Sequence, residues 1–236
     1  MLSDTAVLIP ALNEEPALPQ VLRALPRARL HTIVVVDNGS TDRTAEVARS
    51  MGAQVVEERR PGYGSACLAG IHHLAALASP PGVLVFMDAD HPEDARHLEE
   101  LLAPVGAGAD LVLGARLQED GGTGNVHFHA RWGNRLVLGM LSLLWGRRFV
   151  DLAPFRAIRF DRLLDLEMDD TDWGWTLQMQ VRALQRGLET VEILVPHHRR
   201  TVGESKISGS WRTSVRVGAK MFYTLARERA RGGPAR

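Results

Sequence analysis

Short apolar runs alternate with amphipathic stretches through the first half of the chain. TAVLIP, TIVVVD, AQVVEE, VLVFMD and DLVLGA are each too short for a buried helix and are rich in β-branched residues, so they predict strands. Between them, residues 16–25, 41–51, 65–78 and 93–104 space their apolar positions as helices do. Gly52 suits a helix C-cap and Pro92 a helix start. This βαβα rhythm predicts an α/β protein with a mainly parallel sheet and helices on both faces. In such sheets ligands collect at the carboxyl ends of the strands. Those ends carry the unusual residues here: Asn13 and Glu14, Asp37-Asn38-Gly39, Arg60 to Gly64, Asp88 and Asp90, and Arg116.

The second half is less regular. LQEDGGTGNVHFHA, residues 117–130, reads as a loop, and a helix is predicted from about Arg131 to Trp145. PFRAIRF alternates like a strand. DDTDWGW precedes a helix, TLQMQVRALQR, that Gly187 ends. TVEILVP is a further strand, followed by HHRRTVGESKISGS and a basic helix, SWRTSVRVGAKMFYTLARERA. There is no internal repeat.

Composition narrows the picture. With 45% hydrophobic and 24% charged residues in 236, the chain suits one globular domain, 1–236. Its single cysteine excludes an internal disulfide and favours a reducing, cytoplasmic setting. The N-terminus lacks a basic region and cleavage site, so no signal peptide is expected. The longest apolar stretch, Leu136 to Trp145, falls far short of the ~20 residues of a spanning helix. Net charge is zero, yet residues 199–236 hold ten Lys/Arg against two Asp/Glu. That segment reads either as a solvated helix face or as a surface for anionic lipid or substrate, giving a peripheral contact with the inner face of the cell membrane.

The candidate chemistry centres on VLVFMDADHPEDA. Side chains two apart in an extended segment share a side, so Asp88 and Asp90, separated by Ala89, converge where the strand leaves the sheet. Paired carboxylates repel. A divalent cation, Mg²⁺ or Mn²⁺, removes that cost and leaves coordination positions for phosphate oxygens. The competing reading makes Asp90 a helix cap. DNGSTD, residues 37–42, is a turn whose Asp37 can also accept hydrogen bonds from a ribose or base. RRPGYGSA offers two glycines before a helix, where backbone approaches a ligand and an anion is favoured. It lacks the third glycine of a dinucleotide fingerprint, which counts against a dehydrogenase.

The ordered series IPALNEE, VVVDNGSTD, RPGYGSA, FMDADHP, LGAR and GESKISG resembles the family 2 glycosyltransferases of GT-A fold, a Rossmann-like architecture, in the branch of the dolichyl-phosphate mannose synthases. The resemblance spans about residues 5–210. It implies a donor- and metal-binding half, 1–116, and an acceptor-binding half, 117–236, ending in the basic helix. It implies that Pro10, Ala11, Asn13, Glu14, Asp37, Gly64, Asp88 and Ala89 bind a nucleotide-diphospho-sugar and that Asp88 and Asp90 hold the metal. Arg116, at the place of a Gly-Ser-Arg motif, faces the sugar and phosphates. Arg131, Arg200, Ser205 and Lys206 fall where the family gathers positive charge on phosphates. Two departures stand out: DADHPED is shorter than the family's segment, and Ala153-Pro154 replaces Ser-Gly before Phe155. DDTDWGW is also unusually acidic.

The expected reaction is inverting transfer of a hexose from a UDP- or GDP-sugar. A polyprenyl phosphate acceptor is already ionised and needs no strong base. A hydroxyl acceptor on a small molecule or glycan needs one, and Asp172 is then the candidate, with Asp151 second. Asp172 as a helix cap is the competing reading. A nucleotidyltransferase and a non-catalytic nucleotide-sugar binder are the rivals from other classes, and no nucleic-acid partner is expected. Of Trp173 and Trp175, one belongs to the core and the other is a candidate for the acceptor site. Trp132 and the run to Trp145 read as core or as a membrane face. His127, His129, His197 and His198 read as solvated rather than as metal ligands, and Cys67 as a small core residue.

Overall fold

The computed structural model describes residues 1–90, 94–117, 128–196 and 211–232, with backbone alone at 94, 117, 128–134 and 211–215. Its strands are β1 (Thr5–Ala11), β2 (Thr32–Asp37), β3 (Gln54–Glu57), β4 (Val83–Phe86), β5 (Leu111–Leu117), β6 (Arg156–Arg159) and β7 (Thr190–Pro196). Its α-helices are α1 (Leu18–Ala24), α2 (Thr44–Ser50), α3 (Tyr63–Ala75), α4 (Leu98–Gly106), α5 (Phe128–Trp145), α6 (Phe160–Asp165), α7 (Trp175–Gln185) and α8 (Trp211–Arg231). The strands form one sheet in the order β3-β2-β1-β4-β6-β5-β7.

The sheet is mainly parallel, as the βαβα rhythm requires. The exception is β6, which runs antiparallel to both neighbours, β4 and β5. Alternation along each central strand feeds two cores. Ala6 and Leu8, Val34 and Val36, and Leu84 and Phe86 pack with α3, α5, α6, α7 and Leu225 of α8. Val7 and Ile9, Ile33 and Val35, and Val85 and Met87 pack with α1, α2 and α4. Apolar residues on both faces explain why these strands read as unbroken hydrophobic runs. The register sets Ala11 beside Asp37, and Thr5 to Leu8 beside Val83 to Phe86. The carboxyl ends of β1, β2 and β4 thereby share one rim.

Two helix ends follow their glycine punctuation, whereas α4 begins at Leu98 and Pro92 lies outside the described residues. Gly52 and Gly187 have φ of 73° and 68° just after α2 and α7, the left-handed geometry that a glycine C-cap supplies. The stretch 41–51 becomes helical only at Thr44. Trp145 and Trp175 are core residues at 7% and 1% exposure, which settles Trp175 as the buried member of its pair. Cys67 is fully buried, and burial pushes its thiol well up, as suits an inert packing residue. No helix among the described residues is long and apolar enough to cross a membrane.

The first turn of α3 is the tightest backbone approach near the rim. A Cβ on Gly64 would strike the carbonyl oxygen of Asp170 and come within 2.8 Å of the Thr171 carbonyl carbon. Neither backbone atom yields as a flexible side chain does. Gly64→Ala is therefore expected to cost about 1–3 kcal/mol, measured by urea denaturation. Unchanged stability would show that the two segments part readily.

Candidate active site at the carboxyl rim of the sheet

At the end of β1 the chain turns sharply. Asn13 adopts φ 50°, a left-handed conformation that asparagine tolerates. Its side-chain oxygen accepts from the Thr41 amide at 2.7 Å, and its own amide donates to Ser40 Oγ at 2.9 Å. The Glu14 amide donates to Thr44 Oγ1 at 2.8 Å. Glu15 grips Arg43 by a fork, with Nε at 2.9 Å and Nη2 at 2.6 Å. These bonds tie the IPALNEE and DNGSTD turns into one unit beside Pro10 and Ala11. Asp37 ends β2, is 9% exposed and accepts from the Ser40 amide at 3.3 Å.

Asn38 does work that the sequence reading did not assign to it. Its amide nitrogen donates to the carbonyls of Glu58 and Arg60, at 3.0 and 2.8 Å, while its oxygen accepts from the Gly62 amide at 2.9 Å. It thereby holds the loop that leads into α3 against the end of β2. Its place just after a buried strand was the available signal.

The glycines of RPGYGSA have a packing role in addition to the one expected. Gly64 lies in the first turn of α3, not in a loop. The Ser65 amide and hydroxyl both donate to the carbonyl of Thr171, at 2.9 and 3.1 Å, and Gly62 is engaged by Asn38. The anion-binding reading of this helix start is therefore corrected at these two amides: they are spent on protein, and the glycines make room for the 170–171 backbone.

Strand β4 ends at Phe86, although the Met87 amide continues the ladder to Leu8 at 3.1 Å. Ala89 and Asp90 already lie in a turn, so the extended segment is shorter than VLVFMD suggested. Met87 and Ala89 pack on the α4 side. Asp88, partly buried, faces the α3 side, where its charge acts on Tyr63 and Cys67. Asp90 is 8% exposed. Hard carboxylate oxygens fit a Mg²⁺ or Mn²⁺ ion. Among the described residues no three such groups cluster.

Across the sheet, Arg116 at the end of β5 is held by Asp151. Nε donates to Oδ2 at 2.7 Å and Nη2 to Oδ1 at 3.1 Å. Burial pushes the Asp151 carboxyl up, but the Arg116 guanidinium and the Leu152 amide outweigh it and leave Asp151 below its ordinary value. Asp151 is thus a partner for an arginine, with little basicity for the reserve role given to it. The Arg116 side chain stays 38% exposed at the rim.

DDTDWGW owes its acidity to α8. Asp169 pairs with Arg182, Arg227 and Arg231 at 2.9, 3.0 and 2.6 Å. Asp170, fully buried, pairs with Lys220 at 3.0 Å and accepts from Thr224 at 3.3 Å. Glu228 at 1% exposure bonds Arg182, Gln178 and Arg227. Lys220 and Arg227 of the basic helix, both partly buried, therefore pair with acids of the same chain, while Arg231 pairs with Asp169 at the surface with its side chain 53% exposed. The same loop presents Asp172, whose amide donates to Asp170 Oδ1 at 2.9 Å. The N-cap of α7 is Gly174, with no side-chain cap bond, so the cap reading of Asp172 does not hold. Arg131 lies on α5, with its side chain outside the described residues. His129 likewise lies there and Trp132 too, while Arg200, Ser205, Lys206, His127, His197 and His198 fall outside them altogether.

A family model described as Glycosyl transferase family 2 matches residues 6–166. An uncharacterized glycosyltransferase of Mycobacterium tuberculosis is 42% identical over 215 residues, covering 89% of this chain and 92% of that protein. A dolichyl-phosphate hexose transferase of Haloferax volcanii is 33% identical, covering 86% of each chain. A polyprenol monophosphomannose synthase of Mycolicibacterium smegmatis is 32% identical, covering 87% of this chain and 82% of its own. Among solved structures, glucosyl-3-phosphoglycerate synthase from M. tuberculosis, in complex with Mn²⁺, UDP and glucosyl-3-phosphoglycerate, has a TM-score of 0.73 at 21% identity, covering 95% of this chain and 79% of that one. The fold is shared with that GT-A neighbour.

Two acids in the α7–α8 network give a pH dependence. Asp169 is partly desolvated, which raises it, yet Arg231, Gln178, Arg182 and Arg227 bring it down to about 2, and Glu228 is lowered by the same kind of neighbours. Carboxyls depressed in the folded state stabilise it above their unfolded pKa of about 4 and lose that contribution as pH falls toward the folded value. The melting temperature is expected to fall between about pH 4 and pH 2. Glu228→Gln leaves buried arginines short of a counter-charge and is expected to cost about 3–5 kcal/mol at pH 7 and to flatten the acid slope. An unchanged slope in that variant would assign the acid sensitivity elsewhere.

Proposed function

From the premise that this chain belongs to the family 2 glycosyltransferases, we propose that it is an inverting, metal-dependent hexosyltransferase that moves a sugar from a UDP- or GDP-sugar to a polyprenyl phosphate. The observation that carries the reading is the placement of Asp88 and Asp90 at the end of β4, on the rim shared with Asp37 and the Asn13 turn. A pair of hard ligands on the same rim as the Asp37 and Asn13 turns suits a diphosphate that carries a metal. The support for the acceptor is that relatives at 32–33% identity carry names built on dolichyl phosphate and polyprenol. A structural neighbour has Mn²⁺ and UDP bound together.

In this reading Pro10, Ala11, Asn13, Glu14, Asp37, Gly64 and Ala89 shape the donor pocket, and Asp88 and Asp90 hold the metal. A bound divalent ion supplies charge neutralisation to the departing diphosphate. Arg116, oriented by the Asp151 fork, presents a fixed guanidinium to phosphate oxygens and loses little freedom when they arrive. The acceptor phosphate attacks the anomeric carbon from the side opposite the leaving group, which inverts it. Arg131, Arg200, Ser205 and Lys206 are assigned to that phosphate by charge-assisted bonds. Leu136 and Leu143 on α5, with Phe222 and Tyr223 on α8, are among the exposed apolar groups of the described residues and are assigned to contact with a membrane surface.

One observation favours a second reading, in which the acceptor is a hydroxyl. The Asp172 backbone is fixed by Asp170, and its carboxylate makes no α7 cap bond; in this second reading that carboxylate is assigned to take the acceptor proton.

Asp88→Ala and Asp90→Ala are each expected to lower Mn²⁺-dependent transfer at least about a hundredfold with the melting temperature retained. Full transfer in both would overturn the metal assignment. Asp172→Ala separates the acceptors: a loss under about tenfold supports the phosphate, and a loss of about a thousandfold supports the hydroxyl. Donor identity is read from a thermal-shift panel of UDP- and GDP-sugars with and without Mn²⁺. The expected result is stabilisation by one nucleotide series that requires the metal.

A further inference from the structure

Strand β6 carries an arginine at an inward position. Arg156 is 1% exposed and sits opposite Phe86 in the β4–β6 ladder, on the same face as fully buried Ile158. Removing a guanidinium from water is costly, and an apolar residue of similar size would avoid the cost. Its hydrogen bonds go to main-chain carbonyls: Nε to Ala153 at 2.9 Å and Nη1 to Thr176 at 3.0 Å, with Nη2 also reaching Ala153. Among the described residues, Asp88 and Asp151 act on this guanidinium through space. Asp151 is in turn forked by Arg116. The rim therefore carries charges of alternating sign, Arg116, Asp151, Arg156 and Asp88. Burial pulls Arg156 down to about 10 against the opposing pull of Tyr63, Cys67 and the two acids, so it stays charged at neutral pH.

We propose that Arg156 is a positioning residue of the donor site, a fixed buried cation that makes the rim select a metal–diphosphate complex over a bare divalent ion. The inference rests on the reading of Asp88 as a metal ligand given above. A permanent positive charge whose field reaches Asp88, two residues past Arg156's ladder partner Phe86, repels an incoming dication and attracts the net anion that a nucleoside diphosphate carries with its metal. Its loss has opposite signs for the two ligands. A merely structural loosening weakens both together.

The test is isothermal titration of the full chain at pH 6.5, first with Mn²⁺ alone and then with UDP or GDP, whichever the native protein binds, at saturating Mn²⁺. Arg156→Lys and Arg156→Gln both lose the fork onto Ala153 and Thr176, and only the glutamine variant loses the charge. Arg156→Lys is expected to stay within about threefold of native for both ligands, whereas Arg156→Gln binds Mn²⁺ alone about threefold more tightly and the nucleotide about tenfold more weakly. Equal behaviour of the two variants, or weakening of both ligands in Arg156→Gln, overturns the inference. If Arg156→Gln does not fold, Arg156→Lys decides alone, since a tenfold loss of nucleotide binding with the charge retained is the contradicting result. A native chain that binds neither nucleotide with Mn²⁺ sinks the proposed function, and this inference with it.

Discussion

Like charges spaced along one rim of a sheet set the terms for everything around them. Asp37, Asp88, Asp90 and Asp151 all lie at strand ends or just beyond them, each partly or wholly withdrawn from water. Burying a carboxylate is costly unless it is hydrogen-bonded or balanced by opposite charge. Asp151 is answered directly by Arg116 and Asp37 by a backbone amide. Arg156 answers Asp88 and Asp151 at a distance. In the proposed function, a cation that arrives with the donor adds positive charge at Asp88 and Asp90, so donor binding and metal binding are one event.

A second charge system braces the first without sharing its chemistry. The α7–α8 network gathers Asp169, Asp170 and Glu228 against Arg182, Lys220, Arg227 and Arg231. Through Asp170 it fixes the loop that holds Asp172. Through the Thr171 carbonyl the same loop secures the first turn of α3. Asn38 then links that region back to the end of β2. Docking of the C-terminal helix is thus connected by short bonds to the Asp37 side of the rim. The arrangement suits a site whose rim must hold its geometry while a charged donor enters and leaves.

Much of the architecture was legible because period-2 burial leaves a local trace. All seven apolar runs read as strands are in the sheet, and the acids at their ends lie on one rim. The antiparallel direction of β6 was not legible, since direction follows from how a strand is connected, and PFRAIRF looks the same either way. Helix α6, at six residues, is too short to establish a periodicity. The roles of the glycines at 62 and 64 and of the acids at 169 and 170 were missed for a different reason. Deciding partners lie far along the chain, Thr171 at 106 residues from Ser65 and Thr224 at 54 from Asp170, so composition near the residue says nothing of what it meets. Arg156 was visible as a charge within an alternating run, but its meaning needs the ladder that sets it two residues behind Asp88.

The most direct measurement is the anomalous scattering of Mn²⁺ in a crystal of the protein grown with the nucleotide it binds. The account places the manganese peak within bonding distance of the Asp88 and Asp90 carboxylates, with diphosphate oxygens completing its shell. A well-occupied manganese and nucleotide lodged away from both aspartates would contradict it.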